Sequence, residues 1–271
     1  MAEPKVRRSR EELRKLMLDA GRDVLADIRP TLGCDQLNYA RVFSHLEETQ
    51  GIRVTHASVH ERIWPNVEAY RLDVLETSLQ GASRDARNEL RPVLQATLDG
   101  SDLTTVAGRK QAFTDLLRVP QNAYWELVML RDQPWRASYQ MLLHLSLRPA
   151  GHDGLEVEYP GLLDLVGRLR TESFQRHCDN VQLLADLIGA RPRPELGDPA
   201  EAVRRIAHIS HVAALGFVVG AWRDPGERWK LPTGPDGEEQ EWYPVSHAVW
   251  NHLRGAFELA DTGLTAEERR L

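Results

Sequence analysis

The first 30 residues carry apolar positions at helical spacing. Ser9 opens the sequence S-R-E-E, in which Ser9 and Glu12 match a capping box and predict the start of a helix. Pro30 ends the run, because proline cannot continue a helix. The apolar residues that follow the cap every three or four positions are Leu13, Leu16, Met17, Ala20, Val24 and Ile28. One amphipathic helix is therefore expected here.

Three further helices are expected to begin between residues 38 and 80. Asn38 caps a helix that ends at Gly51, since asparagine is a preferred N-cap and glycine a preferred C-terminal residue. Thr55 begins a short helix that runs through Ile63, and Asn66 caps the next one after a Pro-Asn turn. The apolar faces of the first and last of these helices are Tyr39, Val42, Phe43 and Leu46, and Val67, Tyr70, Val74 and Leu75.

The remainder of the chain is also predicted to be helical, because no stretch alternates apolar and polar residues convincingly as a strand would. Gly81 marks the expected boundary between an N-terminal domain, residues 1–80, and a larger domain, residues 81–271. Residues 223–244 are rich in Pro, Gly and acidic side chains and predict a long exposed loop. Helices are expected near residues 83–98, 103–118, 121–131, 135–148, 160–189, 199–222 and 245–260. The predicted fold class is all-α.

Composition places the chain among globular proteins. It has 271 residues, 42% of them hydrophobic and 27% charged, and a formal net charge of −6. The longest apolar run, Val212–Trp222, is shorter than the ~20 residues that a membrane span needs. No apolar segment follows the N-terminal arginines, so no signal peptide is expected. Cys34 and Cys178 fit no metal or redox spacing, which favours a reducing compartment, and the predicted location is the cytoplasm.

Net charge gives no reason to expect a nucleic-acid partner, but local charge does. Residues 4–10, PKVRRSR, carry four positive charges and no acid. This composition is typical of a mobile arm that lies along phosphates. A solvated tail is the alternative interpretation.

Residues 38–63 have the anatomy of a helix-turn-helix, with a helix of about 12 residues, a turn at Gly51 and a short second helix. The second helix reads T-H-A-S-V-H-E-R-I, in which Val59 and Ile63 are expected to face the core. Small and polar residues at its start suit entry into a major groove about 12 Å wide. The side chains expected to reach base edges or phosphates from this helix and the turn before it are Arg53, Thr55, His56, Ser58, His60 and Arg62.

These residues resemble the recognition helix of the tetracycline-repressor-like (TetR) transcriptional regulators. That family follows roughly V-[ST]-x-[GA]-[ST]-[LV]-Y-x-x-F, and residues 54–63, VTHASVHERI, fit the frame without a gap. Residues 64–66, WPN, stand for the turn that follows, and residues 67–70, VEAY, for the opening of the next helix. His60 replaces the usual Tyr of the family, Ile63 replaces Phe, and Asn66 replaces a Lys that often grips the DNA backbone. The turn before the helix is also about two residues longer.

The resemblance implies a homodimer that binds an inverted-repeat operator in double-stranded DNA, with its two recognition helices about 34–36 Å or a multiple of that distance apart. It also implies a helical domain that binds a small-molecule effector and thereby moves the DNA-reading domains apart. A repressor is expected, and activation stays open. The arginines expected to contact phosphates are Arg7 and Arg8 of the arm, together with Arg41, Arg53 and Arg62. A solvated surface charge is the alternative for each of them.

Two features of residues 81–271 are candidates for dimerisation and ligand binding. The helices at 160–189 and 199–222 are the longest, and Gly216 and Gly220 lie four apart in the second, which allows another helix to approach closely. Packing within one subunit explains the same pattern. Aromatic and Met residues concentrate at 124–144, where an ordinary core is the alternative to an apolar ligand pocket. The side chains expected to line such a pocket are Trp125, Met129, Trp135, Tyr139, His144 and Trp222.

Neither catalysis nor a cofactor is expected. The chain lacks G-x-S-x-G, the P-loop pattern and G-x-G-x-x-G. His208 and His211 form H-x-x-H on a predicted helix, but no set such as H-E-x-x-H is present, so ordinary helix histidines are favoured over a metal-dependent enzyme. The alternative function is a helical protein-interaction or scaffold protein with an incidental helix-turn-helix, in keeping with the acidic net charge.

Overall fold

The computed structural model of this chain describes residues 8–28, 36–60, 62–146, 161–220 and 224–271. These residues are mostly helical, which confirms the helical character expected from the sequence. The chain divides into two compact units, each made of two segments. The first unit contains Met1–Arg84 and Asp132–Gly167, and the second contains Asp85–Arg131 and Arg168–Leu271.

The described helices, in chain order, are α1 (Arg10–Asp27), α2 (Tyr39–Gln50), α3 (His56–His60), α4 (Val67–Asp99), α5 (Val106–Trp125), α6 (Gln133–Ser146), α7 (Leu162–Ile188), α8 (Pro199–Gly220) and α9 (Pro244–Ala256). A π-helical segment, Glu126–Arg131, follows α5, and short 3-10 turns lie at Pro194–Leu196 and Pro235–Gly237. The described strands are β1 (Ala190–Pro192), β2 (Trp229–Pro232), β3 (Glu239–Trp242) and β4 (Phe257–Leu259). They pair antiparallel, β1 with β4 and β2 with β3.

The first unit begins with the predicted capping box. The Ser9 hydroxyl oxygen accepts a hydrogen bond from the backbone N–H of Glu12, and the Glu12 carboxylate accepts one from the backbone N–H of Ser9 at 2.7 Å. These two bonds satisfy N–H groups that the first turn of a helix leaves without partners. The apolar face of α1 then packs against α2 and α6 within this unit.

A glycine allows α1 to lie unusually close to α4. A Cβ atom added at Gly21 would overlap the Tyr70 hydroxyl and would lie 2.8 Å from the Val74 side chain. Tyr70 is fully buried, and its hydroxyl donates a hydrogen bond of 2.8 Å to the carbonyl of Met17. The start of α4 is therefore fixed against α1 by close packing and by one buried hydrogen bond.

The predicted helix break at Gly81 is wrong. α4 runs without interruption from Val67 to Asp99, so the helices expected on either side of Gly81 are one. A single glycine costs a helix only about 1 kcal/mol, which the flanking helix formers offset. The boundary of the first unit lies within this helix, after residue 84, and residues 132–167 also group with the first unit. The sequence-based division assigned those residues to the domain at 81–271.

The predicted break between the helices at 103–118 and 121–131 is also wrong, because α5 continues through Pro120 to Trp125. A proline removes one backbone donor, and the hydrogen bonds on either side maintain the helix. The start of α5 is fixed by the Thr105 hydroxyl, which accepts a hydrogen bond of 3.1 Å from the backbone N–H of Gly108.

The second unit has a hydrophobic core formed mainly by α5, α7, α8 and α9. Within this core, α9 packs against both α8 and α5. Large side chains from each of these helices and from the strands fill it, among them Phe113, Leu117, Val181, Ile188, Ile206, Trp242, Trp250, Leu253 and Phe257.

A β-hairpin occupies most of the region that the sequence predicts to be a long exposed loop. β2 and β3 pair with Trp229 opposite Trp242. Trp242 is fully buried, and its indole N–H donates a hydrogen bond of 2.7 Å to the Thr233 hydroxyl. The side chain of Asn122 in α5 donates to the carbonyl of Glu241, which ties the hairpin to the helix. The Pro, Gly and acidic residues that indicated a loop form the turn and the exposed face of this hairpin.

The pair formed by β1 and β4 also has no sequence signal, because three residues are too few to show alternation. Gly189 ends α7 with a φ of +65°, and its carbonyl accepts a hydrogen bond of 2.9 Å from the backbone N–H of Ala260. Ala190 then lies opposite Leu259. The ends of α7 and α9 are thereby joined.

Three histidines lie where α7 and α8 pack together. The His177 ring nitrogen is 2.7 Å from the hydroxyl of Ser210, which is fully buried. The rings of His177 and His211 are 5.6 Å apart, and Phe174 packs edge-on against His208. Burial, with the charge of His211 as a smaller cause, lowers the pKa of His177 to about 4. The folded chain therefore holds this imidazole in its neutral form at neutral pH.

We expect acid to weaken the fold through His177. The unfolded chain binds a proton there at the ordinary pKa of 6.5, whereas the folded chain does so only near pH 4. The stability contributed by the neutral imidazole is therefore complete above about pH 6.5 and is lost as the pH falls towards 4, by on the order of 2–3 kcal/mol. His177→Gln keeps a hydrogen-bond partner for Ser210 without titrating and should remove most of this loss in urea unfolding across that pH range.

His208→Gln is the matched control, because His208 is exposed on the same pair of helices. This variant should keep the acid dependence of the wild-type protein. An unfolding free energy that depends on pH identically in His177→Gln and in the wild type would contradict the assignment.

Candidate nucleic-acid interface

The segment predicted to be a helix-turn-helix contains α2, a turn and α3. Asn38 caps α2, and its side-chain oxygen accepts a hydrogen bond of 3.0 Å from the backbone N–H of Arg41. Gly51 ends α2 with a φ of +65°, a left-handed conformation that glycine adopts without strain. The backbone N–H groups of Gly51 and Ile52 donate to the carbonyls of Glu47 and Leu46, which closes the end of the helix.

α3 is shorter than the sequence predicts. It spans five residues, His56–His60, rather than reaching Ile63. The backbone N–H groups of Ile63 and Trp64 both donate to the carbonyl of Val59, so the chain leaves the helix there and Pro65 follows. Arg62 and Ile63 therefore lie in the turn after α3.

The two sides of α3 differ in exposure as the sequence predicts. Val59 is fully buried in the first unit, whereas Thr55, His56 and His60 are exposed. Ser58 is half-buried, and its hydroxyl donates a hydrogen bond of 2.7 Å to the carbonyl of Thr55. The exposed side of α3 therefore presents imidazole rings, with a hydroxyl group at its start.

The two exposed imidazoles are held close to one another. The rings of His56 and His60 are 5.3 Å apart and only 24° from parallel. The ring of Tyr39 in α2 packs edge-on against His56, also at 5.3 Å. Tyr39 is itself fixed, because it stacks on Phe43 and its hydroxyl donates to the carbonyl of Asn66 at 3.2 Å. Burial raises the pKa of Tyr39 to about 12, so this phenol is neutral at physiological pH.

The turn after α3 is anchored by Trp64, for which the sequence predicts a place in the turn but no anchoring role. Trp64 is buried, and its indole N–H donates a hydrogen bond of 2.9 Å to the carboxylate of Asp73 in α4. Asp73 also accepts two hydrogen bonds, of 2.7 and 2.6 Å, from the guanidinium of Arg14 in α1. Asn66 caps α4 as predicted, since its side chain accepts from the backbone N–H of Ala69 at 2.8 Å.

The arginines predicted to contact phosphates differ in exposure and in ion pairing. Arg41, Arg53 and Arg62 are exposed, and Arg8 is half-buried just before α1. Arg53 forms an ion pair of 2.6 Å with Glu47 at the end of α2, so its charge is partly compensated. Arg7 lies outside the described residues. Among the described residues, which do not include Glu61, no carboxylate forms an ion pair with Arg41 or Arg62.

Residues 38–63 are electrically balanced before histidine is counted. They contain three arginines and three glutamates, Arg41, Arg53, Arg62, Glu47, Glu48 and Glu61. Three histidines, His45, His56 and His60, lie in the same stretch. His45 faces α1, where its ring is 3.5 Å from the carboxylate of Asp23. The net charge of this surface therefore depends on histidine protonation.

The residues predicted to line a ligand pocket are not brought together in one unit. Trp125 and Met129 are buried in the second unit, where the Trp125 indole donates a hydrogen bond of 2.9 Å to the carbonyl of Pro225. Trp135 and Tyr139 belong to the first unit and stack on one another at 4.9 Å. The burial of Trp125, Met129 and Trp135 is typical of core side chains. The side chain of His144, and Trp222 as a whole, lie outside what the structure describes.

Comparisons with known proteins give no independent identification. No family model, curated protein or solved structure matches this chain. Among the described residues, no helix is long and apolar enough to cross a membrane. In the same part of the chain, no three His, Cys, Asp or Glu side chains come together as a metal site would require, His208 and His211 included.

The ion pair between Arg53 and Glu47 generates a prediction about this surface. Glu47→Gln releases Arg53 and removes one negative charge, so binding to duplex DNA should tighten about threefold or more at fixed salt. The fold should be little affected, because an exposed ion pair contributes at most about 1 kcal/mol. Fluorescence anisotropy with a labelled duplex measures the change.

Glu48→Gln is the matched control, because it removes the same charge from the neighbouring position without releasing Arg53. It should tighten binding less than Glu47→Gln. Equal affinities of the two variants would contradict a phosphate contact by Arg53.

Proposed function

We propose that this chain is a DNA-binding transcriptional regulator of the TetR-like kind, in which α2 and α3 form a helix-turn-helix and α3 enters the major groove. The observation that supports this most is the exposed side of α3. Thr55, His56 and His60 face solvent, while Val59 anchors the opposite side in the core. Direct reading of base edges uses polar side chains that project from a helix whose opposite side is anchored in the protein.

The size of α3 suits this role. An α-helix with its side chains is about 10–12 Å across, which fits a major groove about 12 Å wide, and the five residues of α3 give it a length of about 7.5 Å. Imidazole nitrogens donate to or accept from base edges and phosphates, according to their protonation. The Ser58 hydroxyl already donates to Thr55, so Ser58 is left to contribute as an acceptor. His56 is therefore the residue that we assign first to base contact.

Phosphate contacts are assigned to the arginines that flank α3. Arg41 lies in the first turn of α2 and Arg62 follows α3, and both are exposed. Arg53 joins them where its pair with Glu47 opens. The basic arm at residues 4–10 supplies further positive charge that tracks the DNA backbone.

A homodimer is part of the proposal, because a two-fold protein binds an inverted repeat with two equal half-sites. The second unit exposes large apolar side chains that such a dimer could bury, with Leu183 of α7 and Ile209 and Val212 of α8 each about half exposed. A Cβ at Gly216 would meet nothing within 4 Å in the part of the chain that the structure describes, so close packing there does not require that glycine. This favours the intersubunit interpretation of α7 and α8. Release from the operator by a small molecule follows from the resemblance alone.

A helical protein-interaction module is the second candidate. It is favoured by the net charge of −6 and by the balanced charge of residues 38–63, neither of which attracts a polyanion. The same exposed apolar residues of α7 and α8 would then bind a different protein. Salt-sensitive binding to DNA separates the two functions, because a protein-interaction module has no reason to show it.

The proposal predicts that acidic side chains on α3 abolish operator binding. His56→Glu combined with Ser58→Glu places two negative charges against the phosphates, so specific binding to the DNA upstream of the chain's own gene should fall at least a hundredfold. Electrophoretic mobility shift with a scrambled competitor measures the loss. Circular dichroism and size-exclusion chromatography establish that helix content and the dimer are retained.

The matched control is Asn251→Glu combined with Thr262→Glu, which adds the same charge at two exposed positions of the second unit. This control should bind the upstream DNA as the wild type does. Specific binding that survives in the α3 variant would refute the assignment of α3 as the reading helix.

A further inference from the structure

The charge of the exposed imidazole pair of α3, His56 and His60, changes the net charge of the candidate interface. Without histidine, residues 38–63 carry no net charge, and the ion pair with Glu47 holds one of the three arginines. Histidine is the side chain whose ordinary titration falls between pH 5 and 8. Protonation of this imidazole pair changes the candidate interface from neutral to positive.

The surroundings of the pair leave the positive charge free for an external anion. From α2, the group that touches His56 is the neutral phenol of Tyr39. Among the described residues, the charged groups that flank α3 are Arg62 and the pair formed by Arg53 and Glu47. Within the described residues, which do not include Glu61, no carboxylate lies within 4.0 Å of either ring. His45 differs, because Asp23 is its partner.

The spacing of the rings couples their protonation to an anion. Two imidazolium rings whose centroids lie 5.3 Å apart repel one another. A phosphate placed against the exposed side of α3 offsets that repulsion and forms charge-assisted hydrogen bonds with both rings. Binding of a polyanion therefore draws in protons.

We infer that double-stranded DNA binds this surface more tightly as the pH falls, because His56 and His60 take up protons when α3 contacts phosphates. The inference rests on the proposed function and adds a proton-linked control of affinity to it. The sign follows from linkage. Since the complex binds more protons than the free partners, its association constant rises as the pH is lowered, by up to tenfold per pH unit for each proton taken up.

The test measures DNA affinity between about pH 8 and about pH 6, at constant salt, for the wild type, His56→Gln with His60→Gln, and His45→Gln. The probes are a labelled duplex from upstream of the chain's own gene and a scrambled duplex of the same length, followed by fluorescence anisotropy. The wild type should gain about tenfold or more in affinity over this range. His45→Gln should keep the gain, whereas the double variant should lose it.

A second double variant distinguishes the loss of protonation from any weakening of DNA binding by the glutamine side chains themselves. His56→Arg with His60→Arg carries permanent charge, so it should bind tightly at both ends of the pH range without the gain. Calorimetry in two buffers of different ionisation enthalpy should show proton uptake by the wild type and none by the arginine variant. Circular dichroism at each pH separates these effects from unfolding.

The outcomes separate the inference from the proposed function. Specific binding by the wild type that does not change with pH overturns the inference and leaves the regulator intact. A gain that persists in both double variants also overturns it, because the protons then bind elsewhere. Absence of DNA binding at every pH overturns the inference together with the proposed function.

Discussion

The seating of α3 on the first unit is the interaction on which the account depends. A helix of five residues is not stable in water by itself, so tertiary contacts must hold it. Val59 supplies the buried anchor, Tyr39 packs against the first turn, and Trp64 fixes the exit by its hydrogen bond to Asp73. These inward contacts orient the outward side chains, whose functional role is the proposal.

The charge of the proposed reading surface follows from the same construction. Its exposed side carries imidazoles rather than guanidinium groups, and the neighbouring arginine at position 53 is paired with Glu47. Under the proposed proton linkage, affinity for DNA rises as these imidazoles take up protons. The half-buried His177 in the second unit has the opposite dependence, because burial keeps it neutral and acid costs the fold stability. The pH range of the proposed DNA binding is therefore limited at low pH by the stability of the fold.

Local features of the fold could be predicted from the sequence, and distant ones could not. The caps at Ser9, Asn38 and Asn66 each satisfy a backbone N–H group three residues away, so residue type and spacing suffice to place them. The hairpin could not be predicted, because its tie to α5, in which Asn122 donates to the carbonyl of Glu241, joins residues far apart in sequence, and composition pointed to a loop. The sequence did not predict the continuity of α4 through Gly81, because a glycine indicates a helix end, whereas a long helix tolerates one glycine.

The candidate site likewise has some features that the sequence predicts and others that it does not. Helical periodicity predicted that Val59 faces inward and that His56 and His60 face outward. The shortness of α3 and the pairing of Arg53 with Glu47 depend on the conformations of the turns on either side, which spacing does not reveal.

DNA cleavage directed from α3 is the most direct test of its proposed role as the reading helix. An iron chelate is attached at Ala57→Cys, with Cys34 replaced by serine. The account predicts two cleavage clusters on the upstream operator, about 10 base pairs or a multiple apart. Binding without cleavage above that of a chelate at Thr262→Cys would contradict it.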